Sequence, residues 1–138
     1  MKRLAAAMLA VLTLALAACD TGGDLRIENA TYRAPLGASD IGVAYFTIRS
    51  PKADRIVAVS SVGAEAVEMH GTVITGATAS MQRLEAVELP AGKDVVFGQG
   101  GMHLMVFAPT PVAAGGNFPI TIQLQSGLKE TVEFHTGG

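Results

Sequence analysis

Short runs of apolar and β-branched residues alternate with turn residues along most of the chain. The run at residues 42–49, for example, combines Val, Tyr, Phe, Thr and Ile, residue types that favour β-strands. Turn signals rich in Pro and Gly separate such runs, as at Ser50-Pro51 and at residues 90–92. Beyond the first eighteen residues, no segment longer than a turn or two has a convincing helical period. The pattern therefore predicts an all-β, two-sheet antiparallel sandwich or barrel.

The pattern also predicts where the strands lie. The predicted strands are residues 25–32, 42–49, 55–62, 64–70, 81–89, 94–97, 102–107, 118–124 and 129–135. The segment between the fourth and fifth, residues 71–80, is rich in Gly, Thr, Ala and Ser and is predicted to be a loop. His70 would then end one strand and Met81 would open the next.

The N-terminal region has the composition of a secretory signal. Lys2 and Arg3 precede an apolar run over residues 4–18. This run is shorter than the ~20 residues that a membrane-spanning helix needs. It ends in Leu-Ala-Ala followed by Cys19, which resembles a bacterial lipobox. We therefore expect residues 1–18 to be a lipoprotein signal peptide that is removed.

Cys19 is the expected point of lipid attachment, and multiple acyl chains give stable membrane anchoring. Residues 19–24 would form a lipidated tether, and residues 25–138 a single β-sandwich domain. The expected location is periplasmic, on a membrane; Asp20 favours the outer face of the inner membrane under the enterobacterial sorting rule. The alternative is an ordinary signal peptidase site with an incidental cysteine.

Composition and charge exclude several classes of function. Of the 138 residues, 49% are apolar and only 16% are charged, which fits one packed domain and not a disordered chain. Removing residues 1–18 takes away two of the 10 basic residues and none of the 12 acidic ones, so the formal net charge changes from −2 to −4. A mildly acidic domain is not expected to bind nucleic acid. With Cys19 lipidated, the domain has no thiolate for a blue-copper centre.

Methionine and histidine concentrate in one window of the sequence. Residues 69–105 contain every methionine beyond the signal and two of the three histidines. Imidazole and thioether together form a soft, uncharged ligand set, and softness selects Cu(I) over harder divalent ions. The glutamates nearby are scattered along predicted strands and form no loop of oxygen ligands. The window therefore predicts a Cu(I) site, with the ligands His70, Met81, His103 and Met105.

Strand geometry adds an expectation about how the site assembles. Alternate residues of a strand point to the same face, so His103 and Met105 would project from one face and Met102 and Leu104 from the other. One face would bind metal while the other packs. Met69 is expected, like Met102, to have a structural role, with a secondary sulfur ligand as the alternative for either, and His135 is expected to be a surface residue.

The spacing of the four ligands, His-x10-Met-x21-His-x-Met, resembles the copper-binding signature of the periplasmic PCuAC copper chaperones. Flanking segments over roughly residues 25–135 also resemble this family; they are residues 54–57, 60–61, 68–70, 89–92 and 100–105. Departures occur at Tyr45-Phe46 and Val106-Phe107, where packing rather than metal binding is affected. The resemblance implies a cupredoxin-like fold with Greek-key topology.

The resemblance also implies a function. PCuAC-type proteins are non-enzymatic carriers of Cu(I), associated with assembly of the CuA site in cytochrome c oxidase subunit II, often together with a Sco-like thioredoxin-fold protein. Those two proteins are the expected partners, with the membrane reached through the lipid anchor. Some relatives serve general periplasmic copper uptake, storage or resistance instead.

Two other classes remain open from the residues themselves. A copper-dependent enzyme is disfavoured because the sequence has no thiolate, no visible second metal cluster and no acid/base pair beside the motif. A metal-free envelope lipoprotein would use the same methionines and histidines only for packing.

Overall fold

The structure is a computed structural model that describes residues 23–137. The expected signal peptide, the lipidation at Cys19 and most of the expected tether lie outside the described residues. No helix in the described part of the chain is long and apolar enough to cross a membrane.

Residues 23–137 form ten strands and no helix, which confirms the all-β prediction. The strands are β1 (Arg26–Arg33), β2 (Ile41–Arg49), β3 (Asp54–Ser60), β4 (Ala66–Thr75), β5 (Thr78–Arg83), β6 (Val87–Leu89), β7 (Asp94–Phe97), β8 (His103–Phe107), β9 (Asn117–Leu124) and β10 (Lys129–Thr136).

The strands follow the hydrogen-bonded order β5, β4, β8, β2, β1, β10, β9, β3, β6. β7 pairs with the second half of β2, whereas β8 pairs with its first half. All named strand pairs are antiparallel except that of β1 with β10, which is parallel and joins the two halves of the sheet. Strands distant in sequence, such as β2 and β8, are neighbours, as Greek-key connections require.

Aromatic side chains fill the space between the two halves of the folded sheet. Tyr32 on β1 stacks on Phe118 of β9 with ring centroids 4.4 Å apart. Phe46 on β2 stacks on Phe97 of β7 at 4.4 Å and meets Phe134 of β10 edge-on at 5.7 Å. β2 and β9 alternate more and less buried positions along their length, so each contributes one face to this core. Burial of each large apolar side chain contributes roughly 1.5–3 kcal/mol.

The predicted loop at residues 71–80 is wrong. β4 continues to Thr75, a two-residue turn follows at Gly76-Ala77, and β5 pairs back along β4 from Thr78. Gly76 has a φ of 63°, a conformation that suits the first position of a tight hairpin turn. The pairing satisfies the backbone hydrogen bonds that a loop would leave to water.

Two related predictions are also corrected by the strand boundaries. His70 lies in the middle of β4 and not at its end. The strand predicted over residues 81–89 is divided, because β5 ends at Arg83 and pairs with β4, whereas β6 begins at Val87 and pairs with β3. The metal-ligand candidates therefore lie on one continuous surface formed by β5, β4 and β8.

Candidate metal site

His70 and His103 face each other across two neighbouring strands. They are directly opposite in the antiparallel register of β4 and β8, and their ring centroids are 5.9 Å apart. His103 is buried, with 6% of its surface exposed, and the side chain of His70 is 15% exposed. Two imidazoles are thus held side by side where water has little access.

Hydrogen bonds determine which nitrogen of each ring carries the proton. Nε2 of His70 lies 2.8 Å from Oε2 of Glu68, and Nδ1 of His103 lies 3.1 Å from the carbonyl oxygen of Gly101. A carboxylate and a peptide carbonyl only accept hydrogen bonds, so these two ring nitrogens are the donors. In the neutral rings, Nδ1 of His70 and Nε2 of His103 therefore carry the lone pairs.

The two lone-pair nitrogens have no partner in the described part of the chain. Nδ1 of His70 and Nε2 of His103 are both buried and make no hydrogen bond there. A buried polar atom without a partner costs about 1–3 kcal/mol. Histidines that bind a metal usually donate their other ring N–H to a carboxylate or a carbonyl, as both of these rings do. The pair therefore has the chemistry of two nitrogen ligands for a metal ion.

Met105 lies on the same face as the histidine pair. It is two residues from His103 on β8, is half-buried, and is opposite Glu68 on β4. Leu104, between them in sequence, is fully buried in the core, and Met102 packs against the core. Leu104 and Met102 thus pack into the core, on the side of β8 opposite His103 and Met105, as the alternation predicted.

Met81 also lies on this face, but further from the pair. It is opposite Thr72 on β4, so it is diagonal to His70, on the side away from Met105. β5 is two strand spacings, about 10 Å, from β8. Met81 is 65% exposed, whereas His103 is buried. The structure therefore brings His70 and His103 together, places Met105 beside them, and leaves Met81 at the open edge.

The other soft or nitrogen side chains lie away from this face. Met69 is buried in the core, and His135 is exposed on β10, where its Nδ1 is 3.4 Å from Oδ1 of Asn117. Both positions agree with the structural and surface roles expected for them. Within residues 23–137, no group of three or more His, Cys, Asp or Glu side chains could hold a metal.

Charged residues border the pair on β4 and β5. Arg83 is opposite His70 on β5, and its Nη1 lies 3.8 Å from Oε1 of Glu68. Its Nε lies 3.8 Å from Oε1 of Glu85. The sequence reasoning assigned no role to Glu68, Arg83 or the Gly101 carbonyl. The two-residue spacing of Glu68 and His70 would have placed them on one face, but the carbonyl contact has no sequence signal.

Solved structures with the same fold include PCuAC domains. The chain is 22% identical to the copper-bound PCuAC domain from PmoF2, with a TM-score of 0.68, covering 85% of this chain and 95% of that one. It is 20% identical to the solution structure of CuI-DR1885 from Deinococcus radiodurans, with a TM-score of 0.69, covering 87% and 83%. The apo PCuAC domain from PmoF1 is 18% identical, with a TM-score of 0.68, covering 85% and 96%. This likeness confirms the predicted cupredoxin-like fold.

Sequence comparison assigns the family. No curated protein has a significant sequence match to the chain. The family described as "Putative lipoprotein LpqE-like" matches residues 25–136, which include every strand and all four predicted ligands. Because the match spans most of the chain, the protein belongs to the LpqE-like family.

Proposed function

We propose that the protein is an extracytoplasmic Cu(I) carrier that binds copper through His70, His103, Met105 and Met81 and transfers it to a partner protein. The observation that carries this proposal is the facing histidine pair, with two buried lone-pair nitrogens that have no partner within residues 23–137. The copper-bound PmoF2 domain and CuI-DR1885, which share the fold, add support.

The ligand chemistry favours monovalent copper. Two neutral imidazole nitrogens and two thioether sulfurs form a soft set without a charged ligand. Glu68 is the nearest carboxylate in the described contacts of the pair, and it is engaged by the N–H of His70. A divalent ion such as Mg²⁺ or Ca²⁺ requires several oxygen ligands, which the described residues do not bring together here.

The proposed ligands differ in exposure, and this difference suits transfer of copper to a partner rather than catalysis. The buried His103 would keep copper while the exposed Met81, at the edge strand β5, gives way to an incoming ligand. Ligands would then be exchanged one at a time between donor and acceptor. No acid/base catalyst is needed for such an exchange, so we propose a carrier and not an enzyme.

We infer the location from the expected lipid anchor and the recipient from the PCuAC resemblance. A lipid on Cys19, consistent with the lipoprotein description of the LpqE-like family, would hold the carrier at a membrane surface outside the cytoplasm. The recipient we propose is the CuA site of cytochrome c oxidase subunit II, reached directly or through a Sco-like protein. This recipient comes from the PCuAC resemblance alone.

The proposal is tested by anaerobic Cu(I) titration against a competing chelator. His103→Asn retains a donor for the Gly101 carbonyl but lacks Nε2, and His70→Gln retains a donor for Glu68 but lacks Nδ1. The wild-type protein should bind one equivalent tightly, and each variant should lose more than about 100-fold in affinity, beyond the 10–100-fold typical of losing an outer partner of a ligand. His135→Asn, on the distant β10, is the matched control and should bind as the wild type does. Equal, weak binding by all four proteins would favour a metal-free envelope lipoprotein.

A further inference from the structure

Glu68 has a contact with the histidine pair that no ligand assignment explains. Glu68 and His70 are two residues apart on β4, so their side chains share a face, and Oε2 of Glu68 accepts a hydrogen bond from Nε2 of His70 at 2.8 Å. Both side chains are largely buried, at 26% and 15% exposure. The contact is therefore more persistent than a solvated surface pair, whose net contribution is about 0–1 kcal/mol.

A second, longer contact lies on the other side of the carboxylate. The other oxygen of Glu68, Oε1, faces Nη1 of Arg83 at 3.8 Å, and Arg83 is directly opposite His70 in the register of β4 and β5. The guanidinium thus lies beside the carboxylate from the neighbouring strand. One oxygen of Glu68 is thus hydrogen-bonded to His70 while the other faces Arg83, so the carboxylate is placed as a partner of the imidazole.

The hydrogen bonds leave a different ring nitrogen available on each histidine. Because Glu68 takes the N–H of Nε2, His70 offers Nδ1, whereas His103 gives its Nδ1–H to the Gly101 carbonyl and offers Nε2. The two histidines therefore differ in the nitrogen that remains available. If the acceptor at Glu68 were absent, nothing described on the Nε2 side of His70 would keep the proton there.

We propose that Glu68 is a positioning residue of the copper site, which sets the tautomer of His70 so that this ring binds Cu(I) through Nδ1 while His103 binds through Nε2. This inference rests on the proposed function. A carboxylate that accepts the distal N–H of a ligating imidazole also raises the basicity of the ligand. The carboxylate further offsets part of the positive charge that Cu(I) brings to a poorly solvated position.

The test compares three variants in the purified full-length chain. Glu68→Leu removes the acceptor, Glu68→Gln retains an amide oxygen that can accept from Nε2, and Glu85→Gln is the control, since Glu85 also faces Arg83 but makes no described contact with His70. Two-bond ¹⁵N–¹H correlation spectra of the metal-free proteins report the His70 tautomer. They are recorded at about pH 8.5, where imidazole is neutral. Chelator competition then gives the Cu(I) affinity of the same samples.

The wild type and Glu85→Gln should show His70 protonated at Nε2. Glu68→Leu should shift His70 toward the Nδ1–H form and weaken Cu(I) binding by about 10–100-fold. Glu68→Gln should restore the tautomer and most of the affinity. An unchanged tautomer in Glu68→Leu, or wild-type affinity in it, would overturn the role of Glu68 while leaving the carrier intact. A wild type that binds no Cu(I) would overturn the proposed function itself, and with it this inference, whatever the tautomer.

Discussion

His70 and His103 lie directly opposite each other on β4 and β8, with ring centroids 5.9 Å apart, and each ring has one buried nitrogen without a hydrogen-bond partner within residues 23–137. This arrangement comes from the register of two strands whose facing histidines are more than thirty residues apart in sequence. One residue of slip would turn either histidine toward the core and replace it with Met69 or Leu104. The strand register is therefore as important to the site as the ligands themselves.

The thioether of Met81 is expected to contribute to Cu(I) affinity without contributing to stability. Met81→Leu preserves side-chain volume at an exposed position, so the free energy of unfolding should change by less than about 0.5 kcal/mol. Cu(I) affinity should fall by about tenfold or more, because the site loses a sulfur. Chelator competition and denaturant unfolding measure the two effects.

Met102→Leu is the matched control for this thioether experiment. Met102 is next to His103 in sequence but packs against the core. It should retain wild-type Cu(I) affinity. If Met102→Leu and Met81→Leu weakened copper binding equally, the assignment of ligands to one face would be wrong.

Leu104 is expected to carry much of the stability beneath the site. Leu104 lies between His103 and Met105 in sequence, and its side chain is fully buried on the opposite face of β8. Leu104→Ala should lower the free energy of unfolding by about 2–5 kcal/mol, because it removes apolar contacts and leaves a cavity. Urea unfolding followed by circular dichroism measures this loss. A decrease in the free energy of unfolding of less than about 1 kcal/mol would contradict the burial of Leu104 in the core.

Gly42 is expected to tolerate no side chain. A Cβ at this position in β2 would lie 2.6 Å from Cε2 and 2.7 Å from the hydroxyl oxygen of Tyr32. The ring of Tyr32 is buried and stacked on Phe118, so it cannot move aside without cost. Gly42→Ala should destabilise the protein by about 1–3 kcal/mol through overpacking.

Gly98→Ala provides the comparison for Gly42, since its Cβ would meet only Val96, at an ordinary 3.5 Å. Its effect on the free energy of unfolding should stay within about 0.5 kcal/mol. Thermal unfolding of the two variants side by side tests the difference. Equal losses of thermal stability in the two variants would show that the Tyr32 ring moves aside at little cost.

The strand pair β2–β7 carries a pH-dependent contribution to stability. Nε of Arg49 donates to Oδ1 of Asp94 at 2.7 Å, and this hydrogen bond, with the charge of Arg49, lowers the pKa of Asp94. A carboxyl whose folded pKa is lowered stabilises the fold above its unfolded pKa of about 3.9, and that stabilisation is lost as the pH falls through the folded value.

Asp94→Asn should therefore be slightly less stable than the wild type at about pH 7 and indistinguishable from it well below pH 3.9. The effect should be small because both side chains are about half exposed. Arg49→Gln should reproduce it, and the double variant should add nothing further. A stability difference that persists unchanged at low pH would show that the ion pair is not its source.

Much of the fold could be predicted from the residues, because apolar and β-branched runs separated by turns directly reflect strands. The hairpin of β4 and β5 was missed because its small and hydroxyl residues resemble a loop. The signal was nonetheless present: Thr72-Val73-Ile74-Thr75 is a β-branched run, and Gly76-Ala77 is a two-residue turn. The strand order could not be read from the sequence, since nothing in β4 specifies β8 as its neighbour.

The candidate site was predictable as a set of residue types but not as an arrangement. The soft side chains of His70, Met81, His103 and Met105 indicated Cu(I), and period-two alternation correctly placed His103 and Met105 on the face of β8 opposite Leu104. The tautomers depend on Glu68 and on the backbone oxygen of Gly101, which come into contact with the rings only after folding. The peripheral position of Met81 depends on the pairing of β4 with β5, which lies where a loop was predicted.

The most direct test of the account is copper K-edge X-ray absorption of the full-length protein, loaded anaerobically with one equivalent of Cu(I) and passed through gel filtration. The account predicts that copper remains bound as Cu(I), with both imidazole nitrogen and sulfur scatterers in its first coordination shell. It also predicts that the sulfur contribution decreases in Met81→Leu. Loss of copper during filtration, or a first shell without imidazole or without sulfur, would contradict the proposal that this face is a histidine and methionine copper site.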